Sequence, residues 1–160
     1  MLVLLVRHAQ ADGQDAEKYP DDSLRPLVPK GRRAQRRMSR LLRKQGIVPS
    51  RVFSSPWKRA WQTARILLRE IGIPKERRFR SDALAMPPDP AALAAEIGEI
   101  GADETIALVG HEPWMSSLAA KLLAGGMSDL RIDFAKGGVM GIEMDRLEEA
   151  GGTLRFFVVP

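Results

Sequence analysis

The chain has 160 residues with a formal net charge of +5, and it is 44% hydrophobic and 28% charged, which supports a buried core and argues against disorder, collagen-like repeats and membrane spans. With no cysteine and only 2 histidines, disulfide frameworks, cysteine nucleophiles, thiolate metal sites and three-histidine metal sites are excluded. The basic excess, Lys+Arg 25 against Asp+Glu 20, suits nucleic acid, phosphate esters or acidic protein surfaces without choosing among them.

Leu2 to Val6 is a continuous apolar run of strand length, the pattern of a strand covered on both faces. The run ends at Arg7, has no basic segment before it, and is far shorter than a signal-peptide core or a spanning helix. A soluble cytoplasmic protein with no membrane attachment is expected. A polar loop, Gln10 to Pro29, leads to a basic segment, Lys30 to Lys44, where Arg32, Arg33, Arg36, Arg37, Arg40 and Arg43 interleave with Ala34, Met38, Leu41 and Leu42. That spacing predicts an amphipathic helix with its arginines outward. The helix reads as a solvated basic face, with docking of an acidic partner as the alternative.

Val52 to Ser54 predicts a short strand, and Ser55-Pro56 reads as an N-cap followed by proline at the first helical position. The helix after it carries Ala60, Ala64, Leu67, Leu68 and Ile71 on one face and stops near Gly72 to Pro74. Beyond a proline-rich stretch, Met86 to Pro90, a helix is predicted over Ala91 to Ile100, a buried strand over Thr105 to Val109, and a helix from Pro113 to Ala124. After Gly125-Gly126, Val139 to Met144 and Thr153 to Val159 read as strands forming a hairpin, hence at least one antiparallel strand. Strands alternating with helices imply an α/β sandwich with helices on both faces of a mainly parallel sheet. No repeat, linker or boundary interrupts the chain, so residues 1–160 are expected to form one domain.

Both histidines occupy the same kind of place. His8 follows Leu4-Leu5-Val6-Arg7 and His111 follows Ala107-Leu108-Val109-Gly110, each just past the C-terminal end of a predicted buried strand, where open α/β sheets bind ligands. Arg59 lies near the start of a helix that follows a strand, and helix starts favour anions. Arg7 adjoins His8. Two arginines and two histidines at one sheet edge describe a pocket for a phosphoryl group. The chain has no Walker loop, no G-x-G-x-x-G after the first strand, no G-x-S-x-G elbow and no nucleic-acid-binding motif. Asp82, Asp89, Asp103 and Glu104 show no metal-ligand spacing with either histidine. Ser54 and Ser55 read as strand-end and capping residues. Trp57, Trp61 and Trp114 read as packing residues, with Trp57 and Trp114 placed to line the pocket mouth as the alternative.

These residues resemble a known family. Leu5-Val6-Arg7-His8-Ala9 is similar to the Arg-His-Gly signature of the histidine phosphatase superfamily, with its phosphoglycerate-mutase-like fold. Arg25-Pro26-Leu27-Val28-Pro29-Lys30-Gly31 resembles the loop into the first helix. Ser54-Ser55-Pro56-Trp57-Lys58-Arg59-Ala60-Trp61-Gln62-Thr63-Ala64 resembles the family's Ser-Pro-x-x-Arg-Ala-x-Gln-Thr segment, and Val109-Gly110-His111-Glu112-Pro113 its second histidine motif. The resemblance implies a three-layer α/β/α domain in which His8 is the nucleophile and Arg7, Arg59 and His111 hold the phosphoryl oxygens. It implies metal-independent phosphoryl transfer without a cofactor.

Two positions depart from the pattern. Ala9 replaces the signature glycine, and Asp82 to Pro90 contains no glutamate where mutases and many small-molecule phosphatases carry a general acid. Small size, Arg-His-Ala and the missing glutamate together resemble the SixA-type phosphohistidine phosphatase branch. A mutase is disfavoured, since the chain also lacks the length for a lid over a bisphosphate. The substrate is therefore expected to be a histidine-phosphorylated protein. The alternatives are a small-molecule phosphomonoesterase with Asp89 as acid and a non-catalytic phosphate- or partner-binding module.

Overall fold

The computed structural model describes residues 1–87, 89–125 and 130–160. Pro88 of the proline-rich stretch and Gly126 of the predicted Gly125-Gly126 break lie outside the described residues. The strands are β1 (Leu2–Arg7), β2 (Arg51–Ser54), β3 (Arg78–Arg80), β4 (Thr105–Gly110), β5 (Val139–Glu143) and β6 (Thr153–Val158). The helices are α1 (Pro29–Lys44), α2 (Lys58–Ile71), α3 (Pro90–Ile97) and α4 (Trp114–Ala124). The strands form one sheet in the order β3-β2-β4-β1-β5-β6. Neighbours from β3 to β1 are parallel, whereas β5 is antiparallel to β1 and to β6. This is the mainly parallel α/β architecture of the phosphoglycerate-mutase-like fold.

The period of two along β1 explains why its apolar run is unbroken. Val3 and Leu5 face one core with Leu93 and Ile97 of α3 and Met115, Leu118 and Leu122 of α4. Leu4 and Val6 face another, with Met38 and Leu42 of α1 and Ala60, Ala64 and Leu67 of α2. Chain order moves outward from β1 to β2 to β3, then reverses to β4 and β5. With right-handed crossovers, that reversal puts α1 and α2 on one face and α3 and α4 on the other. It also sets the ends of β1, β4 and β2 side by side, where the pocket residues emerge. Among the described residues, no helix is long and apolar enough to cross a membrane.

Three boundaries differ from the sequence reading. α2 begins at Lys58, and its cap position is Trp57, with no side-chain cap. Ser55 is still bonded to the sheet, its N–H donating to Val109 O at 3.0 Å, so the chain turns into the helix later than Ser55-Pro56 suggests. β3 has no apolar run to announce it, because only Phe79 of its three residues is apolar. α3 is shorter than expected, ending at Ile97 with Gly98 as its C-cap, whose φ of 72° breaks the helix.

One glycine carries the entry to the site. A Cβ on Gly31 would lie 2.1 Å from Gln10 O, a backbone atom. Alanine inside a helix ordinarily stabilises relative to glycine, but here the sign reverses. Gly31→Ala is expected to lower stability by about 1–3 kcal/mol through overpacking, read as a shift of the chemical denaturation midpoint. An unchanged or raised midpoint would show that the α1 start and the β1 exit do not approach this closely.

Candidate active site

The loop after β1 places His8 through backbone bonds. His8 N–H donates to Gly110 O at 3.0 Å, tying the exit of β1 to the exit of β4. Ala9 N–H donates to Thr63 Oγ1 at 3.1 Å, and that hydroxyl donates to Arg59 O at 2.8 Å. Thr63 thus fastens the His8 turn to the first turn of α2. Gln62 works in the same way, its Oε1 accepting from Leu27 N–H at 2.8 Å. The Gln-Thr pair therefore positions the site rather than touching its chemistry.

His8 is buried, and its Nδ1 lies 2.7 Å from Ala9 O. A carbonyl oxygen only accepts, so Nδ1 carries the proton and Nε2 keeps its lone pair. The two histidine rings are 5.1 Å apart, centroid to centroid. His111 Nε2 lies 2.8 Å from Ser55 Oγ, which also accepts from Trp57 N–H at 3.3 Å. The Ser55 hydroxyl proton has no other acceptor among the described residues, so it is donated to Nε2 and the His111 proton sits on Nδ1. Ser55, expected to cap a helix, instead sets the tautomer of the second histidine. Trp57 lies beside His111 at 4.8 Å and under Arg59 at 4.6 Å, so it packs against the pocket residues.

Arg7 and Arg59 both bring their charge to bear on His8. Arg7 donates through NH1 to Phe134 O at 2.5 Å. Arg59 is buried, donating through NH1 to Asp22 O at 2.8 Å and pairing through NH2 with Asp22 Oδ2 at 3.0 Å. Arg7 Nε, Arg59 Nε and His111 Nδ1 are buried with no hydrogen-bond partner among the described residues. Such orphaned buried polar groups are uncommon, and these belong to the three residues assigned to the phosphoryl oxygens.

Two residues were missed by the sequence reading. The polar loop folds back on itself through Val28 N–H to Gln10 O at 3.1 Å and Asp12 N–H to Pro26 O at 2.9 Å. This return brings a short 3-10 turn, Asp22–Leu24, over the pocket. Asp22 bridges Arg59 and Arg25, the latter through Nε at 2.9 Å. Arg25 also adds its charge to the field at both histidines. Its place in the Arg25-Pro26-Leu27 motif was the available signal. Asp89 stands apart from this group in role: it is exposed and caps α3, accepting from Ala91 N–H at 3.3 Å. Among the described residues no group of three His, Cys, Asp or Glu is placed to hold a metal ion.

Electrostatics keep both histidines neutral. Burial, with the nearby arginine charges, pushes His8 down from 6.5 to about 3. Burial, then the neighbouring imidazole of His8, which resists a second proton beside it, and the charge of Arg59 do the same for His111, also to about 3. Arg25, the largest influence, and Arg59 hold the Asp22 carboxyl below its usual range. Between about pH 6.5 and 3 the unfolded chain binds protons that the folded chain refuses, so stability is full above 6.5 and falls as pH drops toward 3. The melting temperature should decline over that window, and the decline should be shallower in His8→Asn/His111→Asn. Equal slopes in both proteins would place the acid sensitivity elsewhere.

Comparison with known proteins accords with this geometry. The family description "histidine phosphatase superfamily (branch 1)" matches residues 3–80. An uncharacterized protein of Picosynechococcus sp. is 31% identical over 145 residues, 89% of this chain and 84% of that protein. The structure of the protein histidine phosphatase SixA complexed with tungstate is similar at a TM-score of 0.80 and 24% identity, covering 98% of this chain and 96% of that one. A mycobacterial glucosyl-3-phosphoglycerate phosphatase is similar at a TM-score of 0.67 and 16% identity, with 96% of each chain covered. With its motifs in order and their side chains gathered at one sheet edge, the chain belongs to the histidine phosphatase superfamily.

Proposed function

We propose that residues 1–160 form one catalytic domain, a phosphatase that transfers a phosphoryl group to His8 and then to water, and that its substrate is phosphohistidine in a protein. In the first step the His8 Nε2 lone pair attacks phosphorus, a new P–N bond forms, and the bond to the substrate imidazole breaks. In the second, water forms a P–O bond, the P–Nε2 bond breaks, and phosphate leaves. Arg7, Arg25, Arg59 and the Nδ1–H of His111 supply the positive charge and hydrogen bonds for the equatorial oxygens, the part that fixed donors play in phosphoryl transfer. No metal is needed for that role. The similarity to SixA supports the protein substrate.

One observation favours phosphohistidine over an ester. Asp22, the carboxylate built into the pocket, is held ionised between Arg25 and Arg59. It cannot protonate a departing alkoxide. A phosphohistidine ring takes up a proton from solvent near neutral pH and leaves as neutral imidazole, a far weaker base than an alkoxide, so it needs no strong acid in the pocket. The competing reading is a small-ester phosphatase with Asp89 as acid, supported by the similarity to a glucosyl-3-phosphoglycerate phosphatase.

Rates on a histidine-phosphorylated protein and on phosphoserine, with a chelator present, decide between them. Phosphohistidine should be turned over at least about 100-fold faster, the usual worth of a general acid, and the Asp89→Asn variant should match the wild type. Efficient phosphoserine hydrolysis that collapses in Asp89→Asn would assign the ester reading instead. Loss of turnover on chelation, restored by a metal, would remove the metal-free account of the pocket.

A further inference from the structure

Beside the site, α2 and the edge strand β3 gather positive charge, at Arg65, Arg78 and Arg80, with no carboxylate paired to it among the described residues. In β3, Phe79 stacks on Phe53 at 5.1 Å on one side of the sheet, so the alternation of a strand sends Arg78 and Arg80 to the other side. There they meet Trp61 of α2. The guanidinium carbon of Arg78 is 3.9 Å from the indole centroid and that of Arg80 is 5.1 Å away. Arg65 lies one turn beyond Trp61 on the same helix stripe.

The cluster is costly as built. Arg78 NH1 is buried without a partner among the described residues. Burial, with the like charges of Arg65 and Arg80, pulls the Arg78 guanidinium down from its usual range. Among the described residues no carboxylate forms an ion pair with Arg65, Arg78 or Arg80, whereas Arg36 and Arg40 of α1 both meet Glu70. Stacking on Trp61 offsets part of the repulsion. An anion would offset the rest.

The position of the cluster says which anion. Arg80 pairs with Ser54 in the sheet register, one residue before the Ser55 that orients His111. At about 1.5 Å per residue, Arg65 lies about 9 Å along α2 from Arg59, a span that an extended peptide covers in about three residues. We propose that the α2–β3 edge receives carboxylate side chains flanking the phosphohistidine of the substrate protein, an inference that rests on the phosphohistidine reading above. Guanidinium forks match carboxylates in geometry. Trp61 already stacks with Arg78 and Arg80, so a base would have to displace a guanidinium to stack there, which disfavours single-stranded nucleic acid.

The probes are a synthetic peptide with phosphohistidine flanked by glutamates and its glutamine counterpart, both phosphorylated with phosphoramidate. The small reference substrate is p-nitrophenyl phosphate, and the variant is Arg78→Gln/Arg80→Gln in the full chain. The wild type should prefer the glutamate peptide by about tenfold in kcat/KM, through KM, as complementary charges at a rim act on encounter. The variant should lose that preference and keep its p-nitrophenyl phosphate turnover. A wild type with no preference, or a preference that survives in the variant, overturns the proposal. Arg80→Gln alone, at an exposed position, serves if the double variant does not fold. If neither peptide is hydrolysed, the phosphohistidine reading fails by itself, and fluorescence polarisation with the unphosphorylated glutamate peptide still tests the edge. Binding that is lost in the variant supports it; absent or unchanged binding overturns it, as does tighter binding of a dT12 oligonucleotide.

Discussion

His8→Ala is expected to reduce turnover by at least about 10⁴-fold, the scale of deleting a nucleophile that works as part of a catalytic unit, while leaving the fold intact. The reason lies in what the ring does. Its only side-chain hydrogen bond among the described residues is to the neighbouring Ala9 O, so little of the architecture depends on it. Its Nε2 lone pair, by contrast, is free by virtue of that bond and is kept unprotonated by burial and by the charges of Arg59, Arg7 and Arg25. Rapid-quench labelling should detect an acid-labile phosphoryl group on the wild type and none on the variant. A folded His8→Ala protein with activity within about tenfold of wild type would take His8 out of a covalent path.

Arg59→Ala should lower kcat/KM by about 10²–10³-fold, or about 3–4 kcal/mol of transition-state stabilisation, on the scale of a preorganised oxyanion donor. Arg59 is buried, stacked over Trp57 and gripped by both the carbonyl and carboxylate of Asp22. It is therefore fixed before substrate arrives, which is what gives a donor its catalytic worth. Arg59→Lys keeps the charge but loses the planar fork and the stacking geometry, so it should recover only part of the loss. A drop of less than about tenfold in Arg59→Ala, measured on the fastest substrate, would move the phosphoryl oxygens away from this side chain.

The consequence of Asp22 is broader than its ion pairs. By holding Arg59 and Arg25 together it arranges two cations that would otherwise repel, and by staying ionised it withholds a proton from the pocket. A site arranged in this way suits a leaving group that needs no strong acid. In the proposed mechanism the same economy divides the roles: both histidines stay neutral and the charge rests on arginines.

Sequence by itself determined the architecture and which side chains would gather at one sheet edge, because both are written in local patterns. Apolar runs and helical periodicity placed β1, β4, α1 and α2, since a strand buried on both faces and an amphipathic helix each leave a signature within a few residues. Arg7, His8, Arg59 and His111 were legible because each adjoins a strand end or a helix start, and a parallel sheet brings such ends to one edge. What tertiary structure alone decided depends on long-range contact. Asp22 and Arg25 reach the pocket only because the loop folds back between Gln10 and Val28 and Gln62 pins Leu27. Ser55 is turned from a cap into the partner of His111 by a residue 56 positions away in sequence. β3, with Phe79 flanked by two arginines, is a strand because β2 offers its edge and Phe53 and Trp61 cover its two faces. In each case the deciding energy comes from a partner distant in sequence, which no local spacing can specify.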